Sequence, residues 1–421
     1  MSLPNHRRAR LYNKTGFSVK TFNWDGLPPE IHLDIFNFLL SMNQYSHGKH
    51  HKSTYAAVCL RWNQFFEPQN FAQLKISQWD LELFEKIVTA KRKKLLSTLW
   101  FCVELRPYDC RSCRFKETND EATMNSAFFT DAMFRFYDVM PKWGLTDGNQ
   151  THEIDLTIML SAWSPSDQEH YFRDHRFEND SFSVYRRSRV NHNDVTHGWK
   201  TGYRIPPKMD EGSFPKLDFV TGLVIPRQFY RPIPRLDLIL PSFPKLRFFQ
   251  YEPWRAISME LEKVARPLLS ISRNFVELDV SFIIDAEQFL RPFYPKFKGN
   301  PIDFTWKNLR GLTLTSWTLI NPLKEQGRLD DLLWCAARAV LRMPRLEKME
   351  IWAGSHKFVG IFRYTRSCTE VLIEMEETDN TYILPERVIR AWQVVANKYT
   401  QGRLRTSYNR PPNMVQRYQN T

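Results

Sequence analysis

The sequence predicts an α/β protein: a small three-helix module at the N-terminus, followed by an irregular strand-helix solenoid. Three observations predict it. An apolar phrase of the form L-x-x-L-x-L, with substitutions, returns along most of the chain. Between its copies lie stretches whose apolar residues recur at helical spacing. Ahead of them, residues 24–71 carry three short apolar patterns of helical period, broken by a polar, His-rich stretch.

Taken in order, residues 1–23 form a basic arm containing the run Arg7 to Arg10. The module at 24–71 opens at Leu27-Pro28-Pro29-Glu30. Proline suits a first helical turn because its missing N–H has no intrahelical partner there, and Glu30 faces the positive end of the dipole. Leu27, Ile31, Ile35, Phe38 and Leu39 then make one apolar stripe. The polar stretch Ser41 to Lys52 follows, a second helix is expected around Ser53 to Cys59, and a third carries Trp62, Phe65 and Phe66. So small a module leaves apolar surface unburied, which calls for a protein partner or the next domain.

The strand phrases are Phe71-Leu74-Ile76, Leu96-Leu99-Phe101, Leu246-Phe249-Tyr251, Phe275-Leu278-Val280, Leu309-Leu312-Leu314 and Leu346-Met349-Ile351, with partial copies at Ile154-Leu156-Ile158 and Leu217-Val220. The helices between them are marked by Leu81, Phe84, Ile87 and Val88 behind a capping-box-like Ser77-x-x-Asp80, by Phe129, Ala132, Met133, Phe136 and Met140, by Ile257, Leu261, Val264 and Leu268, and by Leu329 to Leu341 with Pro344 as a stop. Stacked strand-helix units bury one continuous core that no single unit could form. This domain is expected over 72–401, interrupted by a polar insert at 164–215 rich in histidine and arginine. Phe358 to Tyr364 and Glu370 to Met375 look like paired strands. Pro385 opens a last helix bearing Val388, Trp392, Val395 and Tyr399, and 402–421 is expected to be a disordered tail.

Charge and cysteine usage bound the function. The formal charge is +13, but the basic residues are spread from Arg7 to Arg417, and the tight runs at Arg7 to Arg10, Lys91 to Lys94 and Arg186 to Arg189 are short. That distribution favours acidic protein partners over nucleic acid. No apolar run is long enough for a membrane span or a secretory leader, so the expected location is cytoplasmic or nuclear, with reduced cysteines and no disulfide framework. Cys110-x-x-Cys113 has the spacing of half a zinc site. It lacks a second close pair, and His47, His50 and His51 lie in another loop, so no metal is expected. Ser164, Ser166, Asp167 and His170 lack the nucleophile elbow and oxyanion donors of a hydrolase and read as a turn with a helix cap. No phosphate loop, dinucleotide fingerprint or H-E-x-x-H motif is present, so neither catalytic residues nor a cofactor are expected.

The residues of the N-terminal module resemble the F-box. Leu-Pro-Pro-Glu-Ile at 27–31, then Ile35 and Leu39, then Val58-Cys59-x-Arg61-Trp62, follow the order of that family's Leu-Pro-x-Glu start and Val-Cys-x-x-Trp end. The intervening insert is longer and more polar than in the family, and Leu60 stands where a basic residue is common. The resemblance implies that Leu27, Pro28, Ile31, Ile35, Leu39, Val58 and Trp62 meet a Skp-type adaptor, and through it cullin and RING subunits. The repeating phrase is similar to leucine-rich repeats without their asparagine, a combination found in fungal F-box proteins. Together they imply the substrate receptor of a Skp-cullin-RING ubiquitin ligase, itself not an enzyme, with an unidentified client. The alternatives are a repeat scaffold outside any ligase and a basic nucleic-acid-binding protein.

Strand periodicity also predicts a client face. The residue between the last two apolar positions of each phrase points away from the core. That row is Lys75, Trp100, Gln250, Asp279, Thr313 and Glu350, and the next outward position adds Glu252, Ser281, Thr315 and Trp352. Trp100, Gln250, Asp279, Thr313, Glu350 and Trp352 are therefore the expected client contacts, exposed on a single concave face.

Overall fold

The computed structural model describes residues 24–45, 52–109, 118–143, 155–168, 214–226, 233, 236–251, 268–295, 297, 304–320, 322–354, 359–378 and 382–409. The chain divides into two compact units, 1–67 and 68–421. The Cys110 and Cys113 pair, the histidines at 47, 50, 51 and 170, most of the 164–215 insert, Glu252 and the helix expected around Ile257 to Val264 lie outside the described residues.

In the first unit a 3-10 turn at Trp24–Gly26 leads into helix α1 (Pro29–Tyr45), followed by the single turn α2 (Lys52–Tyr55) and by α3 (Leu60–Phe71), which ends in the second unit. Helix α1 runs four residues past the expected start of the polar stretch. Its inward line is also offset from the predicted stripe. His32 and Phe36 are buried, Ile35 and Leu39 border them half-buried, and Ile31 and Phe38 face outward. The aromatic rings decide this rotation, because rings bury the most surface per residue. Phe36 lies 5.0 Å from Trp62, 4.9 Å from Phe65 and 5.3 Å from Phe66, ring centre to ring centre, and Trp24 stacks on His32 at 4.5 Å.

The second unit is a mixed α/β structure built on one open sheet, of which the described residues form eleven strands in strict sequence order. Its strands are β1 (Gln73–Ile76), β2 (Thr98–Glu104), β3 (Leu156–Trp163), β4 (Val220–Ile225), β5 (Phe248–Tyr251), β6 (Glu277–Asp285), β7 (Gly311–Thr315), β8 (Lys348–Gly354), β9 (Val359–Arg366), β10 (Glu370–Glu377) and β11 (Arg403–Asn409). All neighbours are parallel except β9, which is antiparallel to both β8 and β10. A three-residue turn makes the second reversal possible. There Ser367 Oγ accepts from the backbone N–H groups of Thr369 and Glu370 at 3.2 and 3.0 Å.

Between strands run α4 (Leu81–Ile87), α5 (Ala90–Lys93), α6 (Asn119–Val139), α7 (Leu236–Ile239), α8 (Ala286–Phe289), α9 (Gln326–Val340) and α10 (Glu386–Tyr399). A reciprocal capping box between Thr118 and Glu121 starts α6, and its Phe129, Ala132, Met133 and Phe136 are buried as predicted. Helix α9 buries Leu329, Leu332, Leu333, Ala336, Ala337 and Val340, and α10 buries Val388, Trp392, Val395 and Ala396. Each fully buried Leu or Val among them contributes about 1.5–3 kcal/mol. With the inward strand residues Leu99, Phe101, Ile158, Leu223, Phe249, Leu278, Leu312, Ile351 and Ile373 they form one continuous core.

Two local expectations are corrected. Ser77 does not cap a helix: Asp80 instead accepts from both the N–H and the hydroxyl of Ser77 at 2.8 Å, forming a turn ahead of α4. The segment after Gly402 is not uniformly a tail, since residues 403–409 form β11 beside β10. Gly402, at φ +84°, occupies the left-handed region that a side chain resists, which lets the chain turn from α10 into that strand.

Candidate interaction surfaces

No group of three or more His, Cys, Asp or Glu side chains among the described residues is arranged to hold a metal. No described helix is long and apolar enough to cross a membrane. Ser164 Oγ donates to the carbonyl of Arg106 at 2.7 Å and Ser166 Oγ accepts from Tyr108 N–H at 2.9 Å, so both hold the exits of β2 and β3 together. In the basic run at Lys91 to Lys94, Arg92 lies over the ring of Phe71 and Lys93 over that of Trp143. Two surfaces among the described residues are candidates for interaction.

The first is on the N-terminal unit. Ile31 (43% exposed), Phe38 (63%) and Leu33 lie on the outer faces of α1, and Val58 (58%) and Leu60 (74%) project at the α2–α3 junction. Of the residues expected to meet an adaptor, Pro28, Ile31 and Val58 are exposed, Leu27, Ile35 and Leu39 are half-buried, and Trp62 is half-buried within the aromatic cluster. Sequence reasoning missed what lies beneath. His32 Nε2 bonds the carbonyl of Trp24 at 2.8 Å, and the Arg61 guanidinium donates to His32 Nδ1 at 2.9 Å. A guanidinium has only donors, so Nδ1 must accept and Nε2 must carry the proton, which fixes a neutral tautomer. Nothing in the sequence marked His32, which sits on a helix otherwise read by its aliphatic stripe.

The second is the face of the sheet turned away from the main core. Strand register aligns one row across it: Lys75, Trp100, Met159, Val224, Gln250, Asp279, Thr313, Glu350, Arg363, Glu374 and Ser407. The predicted positions are thus brought together. Their exposure is corrected. Trp100 is only 4% exposed and packs with Cys102 and Met159 in a satellite cluster flanked by Trp163 and Val224. Its indole N–H donates to Ser161 Oγ at 2.7 Å and Lys75 Nζ lies 4.1 Å from its ring centre. An indole so enclosed anchors the sheet rather than a client. Ser281 and Thr315 are also buried, whereas Gln250, Asp279, Thr313, Glu350 and Trp352 are half-buried, and Trp352 Nε1 donates to Ser281 Oγ at 3.2 Å.

The antiparallel β9 adds a feature to this face that the phrases could not signal. Arg363 donates through Nε to Glu350 at 2.8 Å and through a terminal nitrogen to Glu376 at 2.6 Å. Burial disfavours the guanidinium charge, but the bonds and charges of both carboxylates outweigh it and leave the Arg363 pKa raised.

A model of a family of unknown function (DUF6546) matches residues 244–421, less than half of the chain and containing β5 to β11. No curated protein matches the chain.

Proposed function

We propose that this chain is a substrate-recognition adaptor of a Skp-cullin-RING ubiquitin ligase, contributing no catalytic group of its own. On this reading residues 24–71 are an F-box-like module that docks a Skp-type adaptor. The strand-helix unit is an irregular solenoid, similar to leucine-rich repeats, that presents a client.

One observation carries the reading. The module satisfies its own core with aromatic rings and leaves Ile31, Phe38, Val58 and Leu60 in solvent. Four exposed large apolar residues on so small a unit favour a protein partner, because leaving such surface in water costs free energy that folding alone does not recover. Ile31 and Val58 belong both to this exposed set and to the residues that carry the F-box resemblance, and Pro28, which also carries it, is exposed beside the start of α1. On the second unit, Gln250, Asp279, Thr313, Glu350 and Trp352 remain candidates for the client, and Trp100 is withdrawn from them.

The test is direct capture. Purified full-length protein mixed with a purified Skp-type adaptor should elute as one complex. The Ile31→Asp, Val58→Asp double variant should lose it, since a few central anchors carry most of an interface's energy. Both positions are exposed, so the variant should keep the wild-type circular dichroism spectrum. Absence of a complex with the wild-type chain, or an undiminished complex with the double variant, rejects the assignment.

A further inference from the structure

Among the described residues, the last strand of the sheet, β11, has one neighbour, β10, and nothing pairs with its other edge. Its register with β10 runs unbroken from Glu370↔Arg403 to Glu376↔Asn409, without the bulge, proline or glycine with which edge strands usually protect themselves. The remaining defence is charge, and it is turned away. Arg403 and Arg405 both reach back onto Glu370 of β10, at 3.3 and 3.2 Å. Parallel pairing to one side uses the N–H and C=O of alternate residues, so the intervening residues of β11 direct both groups to the open edge.

We propose that this edge pairs with the same strand of a second copy, antiparallel about a two-fold axis through Thr406, joining the two sheets. The strand is complementary to itself in that register. Leu404 meets Tyr408 twice, both half-buried and packed on the main core, so pairing removes further apolar surface. Arg405 meets Ser407, Arg403 meets Asn409 and Thr406 meets Thr406, which leaves no like charges opposed. Neighbouring registers are worse: moving the axis to Ser407 gives up both Leu404–Tyr408 pairs, and shifts the other way oppose like charges. Moving the axis to Arg405 opposes that residue to itself, and moving it one residue further opposes Arg403 to Arg405 in both pairs. Directly opposed like charges destabilise a strand pair, whereas Thr–Thr and aromatic–aliphatic pairs stabilise it. The proposal is independent of the ligase reading, because it uses neither the N-terminal unit nor the outward row.

Sedimentation of the full-length chain across the micromolar range should show a monomer–dimer equilibrium. Thr406→Lys sets two ammonium groups against each other on the axis and should weaken dimerisation roughly fivefold or more. Thr406 is exposed, so the monomer should keep its fold. Thr406→Cys should give a covalent dimer on mild oxidation, under conditions where the wild type, with its exposed Cys59 and Cys368, does not. A wild type monomeric throughout, a dimer unaffected by Thr406→Lys, or no cross-link beyond that of the wild type overturns the proposal.

Discussion

Removal of Arg363 tests the second unit at a charge cluster on its outward face. Its side chain is 31% exposed and bridges Glu350, at 37%, to Glu376, at 8%. The two arms therefore differ in worth. The Glu350 arm is solvent-screened and contributes at most about 1 kcal/mol. The Glu376 arm holds a carboxylate largely removed from water. Its Oε1 has no partner among the described residues, so Arg363 is the donor that keeps the charge tolerable. Breaking a buried pair from one side costs roughly 3–5 kcal/mol, and the partial exposure of Arg363 places this one at the lower end. Arg363→Ala should thus cost about 3–4 kcal/mol, and Arg363→Lys about half of that, because an ammonium cannot serve both carboxylates with the guanidinium's fixed fork. Urea unfolding followed by circular dichroism measures it, with an unchanged slope required for the comparison. Adding Glu376→Gln to Arg363→Ala should recover a large part of the loss, since the orphaned charge is then gone. A cost below about 1 kcal/mol, with no coupling between the two substitutions, would refute the account of a buried clamp. The same geometry disqualifies Glu350→Lys as a probe of client binding, because the new ammonium would face Arg363. Gln250→Ala and Thr313→Ala probe the row without disturbing that clamp.

Three further outcomes follow from local geometry. A Cβ on Gly360 would stand 2.3 Å from the backbone carbonyl oxygen of Leu319, so Gly360→Ala should cost about 1–3 kcal/mol, whereas Gly327 in the first turn of α9 has open space and Gly327→Ala should gain roughly 0.5–1 kcal/mol, both read from urea midpoints. Burial, and after it the charge of Asp331, push the Cys335 thiol from its ordinary 9.0 up to about 12, so the folded state favours the protonated form. That stabilisation is complete below pH 9 and lost as the pH rises toward 12, with buried Tyr137 and Tyr251 displaced in the same direction. Cys335 should therefore resist thiol reagents at pH 8 in the native protein while Cys59 and Cys368 react, and melting temperature should fall steeply in alkali. His32→Ala removes a ring stacked on Trp24 and two hydrogen bonds, and should destabilise the N-terminal unit by about 3 kcal/mol, measured as lost helical signal and lost adaptor capture.

The strands were legible because the demand that shapes them is local. Leu312 and Leu314 flank Thr313, and Met349 and Ile351 flank Glu350, so period-two alternation alone marks the core side. The hairpin after β8 and the helix after Pro385 were legible for similar reasons. What the pattern hid is non-local. Strand β11 reads as a polar tail because only Leu404 and Tyr408 pack inward, and β10 beside it supplies the order its sequence lacks. Trp100 occupies an outward position by periodicity, yet Cys102, Met159 and Trp163 enclose it, and those neighbours come partly from a strand more than fifty residues along the chain. The Arg363 clamp depends on the single antiparallel strand, whose reversal sets one guanidinium between carboxylates of two others.

The same distinction explains why the units look so unlike one another. Leucine-rich repeats ordinarily spend an asparagine after each strand to hold the chain as it turns. This sequence has none at those places, and the joints are nonetheless made. Gln78, beyond β1, both donates to the carbonyl of Glu104 at 2.7 Å and accepts its N–H at 2.8 Å, tying that exit to the end of β2. Ser164 and Ser166, beyond β3, reach back to Arg106 and Tyr108. Asp285 accepts from its own helix start at Glu287 N–H and from Ser316 Oγ and Trp317 N–H beyond β7, at 2.8, 2.9 and 3.0 Å. An amide, a pair of hydroxyls and a carboxylate meet one requirement, which is that backbone groups leaving a sheet must find partners. Each joint is answerable only to its immediate neighbours, so each has been free to adopt a different side chain and a different length of connection. A search for one recurring residue therefore finds nothing, while the core phrases, bound to the same sheet by the same alternation, still resemble one another.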